Sequence, residues 1–255
     1  MAKTLREWVD QDVRPVQDRP VRWLSEHYFF RDPMRPVYSD PAYFFSPADG
    51  IILYQTYVKG QDPIVDIKGR PYSLRDAMRD PAYDRQSLVI GIFMTMFDVH
   101  VNRVPYPGRL SYSQLPPIDT VNRPMLDVEK DLVEALRLDL SRADFLHTNQ
   151  RVLSRVYAAS LGQSYYLLQI ADYDVNTITP FQLHQNWPVA QGHRFSQIRF
   201  GSQVDLIIPL SERCEFVPTQ AVGTHVEAGV DTLVRITPAD GAAGASTPTG
   251  DGGLA

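Results

Sequence analysis

Three stretches of the sequence set reactive side chains beside strongly apolar ones. The first is Phe97-Asp98-Val99-His100-Val101-Asn102-Arg103. In a strand, alternation puts Asp98, His100 and Asn102 on one face and Val99, Val101 and Arg103 on the other. An acid, an imidazole and an amide on one face suit proton transfer, and a hydrogen-bonded structural histidine fits the same residues. The second stretch is Arg199-Phe200-Gly201-Ser202-Gln203-Val204-Asp205. Glycine weakens a strand interior, so Gly201-Ser202 signals a bulge, a close backbone approach or a strained peptide. The third, Ser46-Pro47-Ala48-Asp49-Gly50, precedes an apolar run and is weak as a motif; at its near repeat, Thr237–Gly241, a turn is all that is needed, and read alone Asp49 is a turn residue before it is a catalytic one. Asp49, His100 and Ser202 also supply the residue types of a hydrolase triad, although Ser202 lacks the G-x-S-x-G elbow. No further ligand is spaced to make His100 a metal site.

Strands must carry most of these residues. Leu88–Phe97 is the longest apolar run, and with its polar tail to Val104 it reads as one buried strand. Ile51–Val58 and Ile64–Ile67, parted by Gly60-Gln61-Asp62-Pro63, read as a hairpin. Further strands are expected at 153–160, 165–171, 195–200, 205–209 and 232–237. Residues 4–30 suit a helix broken at Pro15 and Pro20. Ser73 caps a short helix to Met78. Asp127–Leu140 reads as an amphipathic helix capped by Asp127, with Val128, Leu132, Val133, Leu136 and Leu140 inward. Glu129, Lys130, Asp131, Glu134, Arg137 and Asp139 form its outer face. Residues 1–237 read as a single domain, and the small, polar stretch 238–255 as a disordered tail.

The 255 residues are 44% hydrophobic and 22% charged, enough to build a core. A net charge of −5 gives no bulk attraction to nucleic acid or to an anionic membrane. The single cysteine, Cys214, excludes an internal disulfide. No apolar stretch reaches the ~20 residues of a membrane helix. The expectation is a cytoplasmic protein, soluble or with at most peripheral membrane contact, and compatible with a homo-oligomer.

Taken together, FFRDPMRP, SPADG, IGIFMTMFDVHVNRVPYPGRL, the Gln169-Ile170-Ala171 strand and QGHRFSQIRFGSQVDLIIP resemble the pyruvoyl-dependent phosphatidylserine decarboxylases, especially their short bacterial and archaeal branch. The likeness runs from about residue 29 to residue 210, with a weaker match at VGTHVEAGVDTLVRI. Gln191-Gly192-His193 also resembles the hammerhead turn of biotinyl and lipoyl carrier domains. The fold implied is β-rich α+β, with barrel-sandwich-like antiparallel sheets and a few flanking helices.

The resemblance implies cleavage between Gly201 and Ser202 into chains 1–201 and 202–255, with Ser202 converted to a covalent pyruvoyl group and no metal. It gives His100 the role of base and proton donor and Asp49 that of orienting the imidazole. Asn102 and Arg103 become candidate substrate contacts. The substrate implied is phosphatidylserine or another O-substituted serine, the product an ethanolamine compound and CO2. A non-cleaving binding module and a Ser/His/Asp hydrolase remain as alternatives. There are departures. Arg103 stands where longer-branch relatives have a second histidine. Asn149-Gln150-Arg151-Val152 lacks the acid of a common Asn-Glu-Arg-Asn. Residues 112–148 hold extra chain, and an N-terminal apolar segment is missing. The last three point toward a water-soluble serine derivative as substrate.

Overall fold

The apolar run at Leu88 forms the strand Ser87–Met94, in which every residue is buried. Leu88, Ile90, Ile92 and Met94 join Ile52, Val204, Leu206 and Ile208 in one cluster, while Val89 and Phe93 join Ile51, Leu53, Leu168 and Ile207 in another. Both faces of the strand are covered, so its sequence is continuously apolar instead of alternating. The computed structural model describes residues 1–116, 122–172, 177–182, 184–199 and 201–239.

This strand lies inside a nine-stranded antiparallel sheet. The order is Lys3–Thr4, Thr224–Val226, Gly50–Val58, Ser87–Met94, Ser202–Pro209, Gln163–Ala171, Arg151–Ala158, Gly108–Gln114 and Trp187–Val189. Val101–Arg103 belongs to a separate three-stranded sheet with Ile178–Pro180 and Arg194–Ile198. The architecture is β-rich α+β, as expected. Ser202 opens a central strand and is paired with Met94 on one side and Ala171 on the other. A chain end created there would sit between two neighbouring strands.

Several elements differ from expectation. Gly50–Val58 does not pair with Pro63–Ile67; it pairs with Ser87–Met94, and Pro63–Ile67 makes its hairpin with Arg70–Ser73. Lys68 and Gly69, both at positive φ, supply the tighter turn. The run from Leu88 to Val104 is not one strand. The Asp98 carboxylate accepts the N–H and hydroxyl of Thr95, folding Thr95–His100 into a turn. Asp98 and His100 are therefore not placed by strand alternation. The helix expected over 127–140 covers only Leu126–Val133, with Met125 at its N-cap. Leu136 at φ +49° breaks it. Glu129 and Asp131, expected outside, are buried. The last strand runs through Pro238, the first residue of the expected tail; residues 240–255 lie outside the described residues. The Ser73 cap is present as a full capping box with Asp76.

Candidate active site

Period-two alternation from Val204 sets Ser202 on the same sheet face as Met94. Its hydroxyl lies 3.4 Å from Met94 Sδ and 3.3 Å from His100 Nδ1, all of it buried. His100 Nε2 is 2.8 Å from the Thr95 carbonyl. A carbonyl only accepts, so the proton sits on Nε2 and the Nδ1 lone pair faces Ser202. Burial pushes the His100 pKa down to about 4, against the smaller opposing pull of the Thr95 carbonyl and Asp98. The imidazole is thus neutral at neutral pH. Phe29 closes its face at a ring separation of 4.0 Å.

The turn that carries His100 is held from three sides. Asp98 accepts from Thr95 through one oxygen, and its other oxygen lies 2.7 Å from His225 Nε2. Burial opposes the Asp98 charge, but His225 and Thr95 outweigh it and hold the carboxyl below its ordinary range. Arg31 donates to the carbonyls of Phe97 and Asp98 and stacks over Tyr28. From the 112–148 region, Glu129 accepts the Met96 N–H at 3.2 Å. Burial raises the Glu129 pKa to about 7.

Asp49 is not the partner of His100. Its carboxylate makes a bidentate pair with the Arg35 guanidinium and accepts the Ala228 N–H at 2.8 Å, all buried. The fork geometry of arginine captures both oxygens. The hydrolase triad Asp49–His100–Ser202 is accordingly not assembled; only its last two members meet. Asn102 lies close by, its amide nitrogen 3.6 Å from Met94 Sδ and its oxygen accepting from Gln169. Arg103 is turned away into a charge cluster, paired with Asp32, which also takes Arg194.

Gly201 sits where a Cβ would lie 2.7 Å from Asp172 Oδ2, so a side chain there meets a carboxylate that also accepts the Met125 N–H. The segment 122–148 thus reaches both ends of the site, through Met125 at Gly201 and Glu129 at Met96. On the opposite sheet face, Gln203, Tyr54 and Asp205 form a buried network, with Tyr54 crossing over Gly91. Sequence reasoning missed Arg31, Arg35, Thr95 and His225. The two arginines lie within FFRDPMRP, a motif noted but not given a role. His225 lies within VGTHVEAGVDTLVRI, also noted without a role, because its partner Asp98 is 127 residues away. Among the described residues no group of three or more His, Cys, Asp or Glu side chains could hold a metal ion.

Comparison with known sequences agrees with this geometry. Residues 27–233 match the family model described as phosphatidylserine decarboxylase. The phosphatidylserine decarboxylase proenzyme of Erythrobacter litoralis is 32% identical over 210 residues, covering 82% of this chain and 72% of the relative. That of Ralstonia pickettii is 31% identical, covering 82% and 77%. That of Cupriavidus pinatubonensis is 28% identical, covering 82% and 76%. The chain belongs to the phosphatidylserine decarboxylase family and is a carboxy-lyase.

Proposed function

We propose that the chain is a proenzyme that cuts itself between Gly201 and Ser202. It then decarboxylates the serine headgroup of phosphatidylserine, or of a soluble serine phosphodiester, to the ethanolamine compound and CO2. The observation that carries this reading is Ser202 Oγ at 3.3 Å from Nδ1 of a buried His100 held neutral. The word "proenzyme" in the relatives' names supports it.

In the first step His100 Nδ1 takes the hydroxyl proton as Ser202 Oγ attacks the Gly201 carbonyl. The peptide C–N bond breaks, the serine nitrogen takes a proton, and an ester joins the two halves. Loss of the Ser202 Cα proton then expels the Gly201 carboxylate and leaves dehydroalanine at the new end. Its imine tautomer takes up water and releases ammonia, giving the pyruvoyl group. That group supplies an electron sink for the electrons left when CO2 departs. The fit is good on the chain's own terms. Gly201 leaves room for the attack, and two strands flank the new end.

His100 remains available to return a proton to the substrate carbon. Phe29 over its ring excludes water from that nitrogen's surroundings. Asn102 offers an amide next to Met94 and Ser202 for a polar headgroup. Ser202→Ala is expected to stay uncut and to release no CO2. Continued splitting of that variant at the same bond would overturn the reading.

A further inference from the structure

We propose that His225 and Asp98 are a positioning pair that aims His100 at Ser202, and that the pair bridges the two chains self-cleavage produces. This rests on cleavage between Gly201 and Ser202. The hydrogen-bonded path is continuous. His225 Nε2 meets Asp98 Oδ1 at 2.7 Å, and Asp98 Oδ2 takes the Thr95 N–H and hydroxyl, both at 2.8 Å. The Thr95 carbonyl takes the His100 N–H at 2.8 Å, which leaves Nδ1 facing Ser202. Asp98 therefore acts on the base without touching it. It holds the turn whose carbonyl fixes the imidazole's tautomer and tilt.

His225 suits this duty. It is 4% exposed, on the short strand Thr224–Val226, and its ring stacks on Trp8 at 5.0 Å and 14°. Among the described residues no hydrogen-bond partner reaches its Nδ1. The Asp98 contact is then the polar contact that orients the ring. Without it a buried carboxylate loses a donor and must move toward another, pulling the turn with it. Asp98 and His100 lie before the cleavage point, Ser202 and His225 after it. After cleavage the pair ties the base on one chain to the reactive end of the other.

The test is the rate of self-cleavage of freshly folded full-length protein, followed on denaturing gels, with melting temperatures measured on the same samples. His225→Leu keeps an apolar side chain against Trp8 but donates nothing; cleavage is expected to slow roughly 100-fold, the cost of a small misplacement of a catalytic group. His225→Gln returns an N–H to the Nε2 position and is expected to recover most of that rate at a melting temperature no higher than that of the leucine variant. A wild-type rate in His225→Leu, or no recovery in His225→Gln, overturns the proposal. Should His225→Leu not fold, Thr95→Val removes the hydroxyl donor to Asp98, together with the acceptor of the Phe97 N–H: slowed cleavage supports the pair, and an unchanged rate overturns it. A wild-type protein that never cleaves would instead overturn the underlying reading.

Discussion

His100 has one nitrogen committed to a carbonyl and the other open to a hydroxyl, and that division has a consequence in pH. With its pKa pushed down to about 4 by burial, the base form persists well below the ordinary histidine range near 6.5. The acid limb of the self-cleavage rate is expected near pH 4. Stopped-time cleavage assays from pH 3.5 to 8 would show it, and a limb at pH 6–7 would mean that Nδ1 is solvated. Asp49 behaves differently. Its buried pair with Arg35 makes Asp49→Asn a loss of one partner from an ion pair, on the order of 3 kcal/mol. Thermal or denaturant unfolding should record that loss. Cleavage should suffer less than in His100→Ala, because Asp49 does not hold the imidazole. Equal arrest of cleavage in both variants, with unchanged stability, would reinstate Asp49 as the orienting acid.

At the level of elements, the Leu126–Val133 helix acts as a clasp on the site. Glu129 sits on the Leu126–Val133 helix and accepts from the turn that carries the base. Its folded pKa of about 7 lies above the ordinary 4.5, so the stability it carries is full below pH 4.5 and lost as pH rises through 7. Glu129→Gln keeps the acceptor and removes the charge. It is expected to unfold at a higher temperature than wild type at pH 8, by a difference worth roughly 3 kcal/mol, and to match wild type at pH 4.5. No difference at pH 8 would mean that water reaches the carboxylate.

The elements also show what could be read in advance. The central strands were legible because Leu88–Met94 is apolar on both faces and Val204, Leu206 and Ile208 make one apolar face. The Ser73 cap was legible because its partner, Asp76, is three residues away. The turn at Thr95–His100 was not, because Val99 and Val101 mimic a strand while Asp98 bonds back to Thr95. The helix ends earlier than its pattern suggests, because the apolar spacing continues through Leu136 and Leu140 although Leu136 takes a left-handed backbone conformation. Ser202 and His100 were found by residue type and family likeness. Arg35 and His225 were not, since each gains its meaning only from a carboxylate brought to it by the fold.

At the scale of the whole molecule, the substrate must reach a buried serine, Ser202. Among the described residues no helix is long and apolar enough to cross a membrane. On the helix beside the site the exposed charged side chains are one acid, Asp127, and one base, Lys130, which make no basic cluster for an anionic surface. Val21, Met34 and Val37 are exposed on the segment that carries Phe29 and Arg31, and bilayer contact would run through them. A soluble serine phosphodiester is expected to be turned over at least as well as phosphatidylserine in vesicles, measured by CO2 release alongside co-sedimentation. Tight vesicle binding with activity on the bilayer lipid alone would contradict that.

Whether the chain makes its own reactive end is decided by intact mass spectrometry of the purified wild-type protein. Two chains are expected: residues 1–201 ending in a free carboxyl, and residues 202–255 lighter by one ammonia than a serine-led chain. A single uncut chain of 255 residues, or a break that leaves serine at the new end, would contradict conversion of Ser202 to a pyruvoyl group.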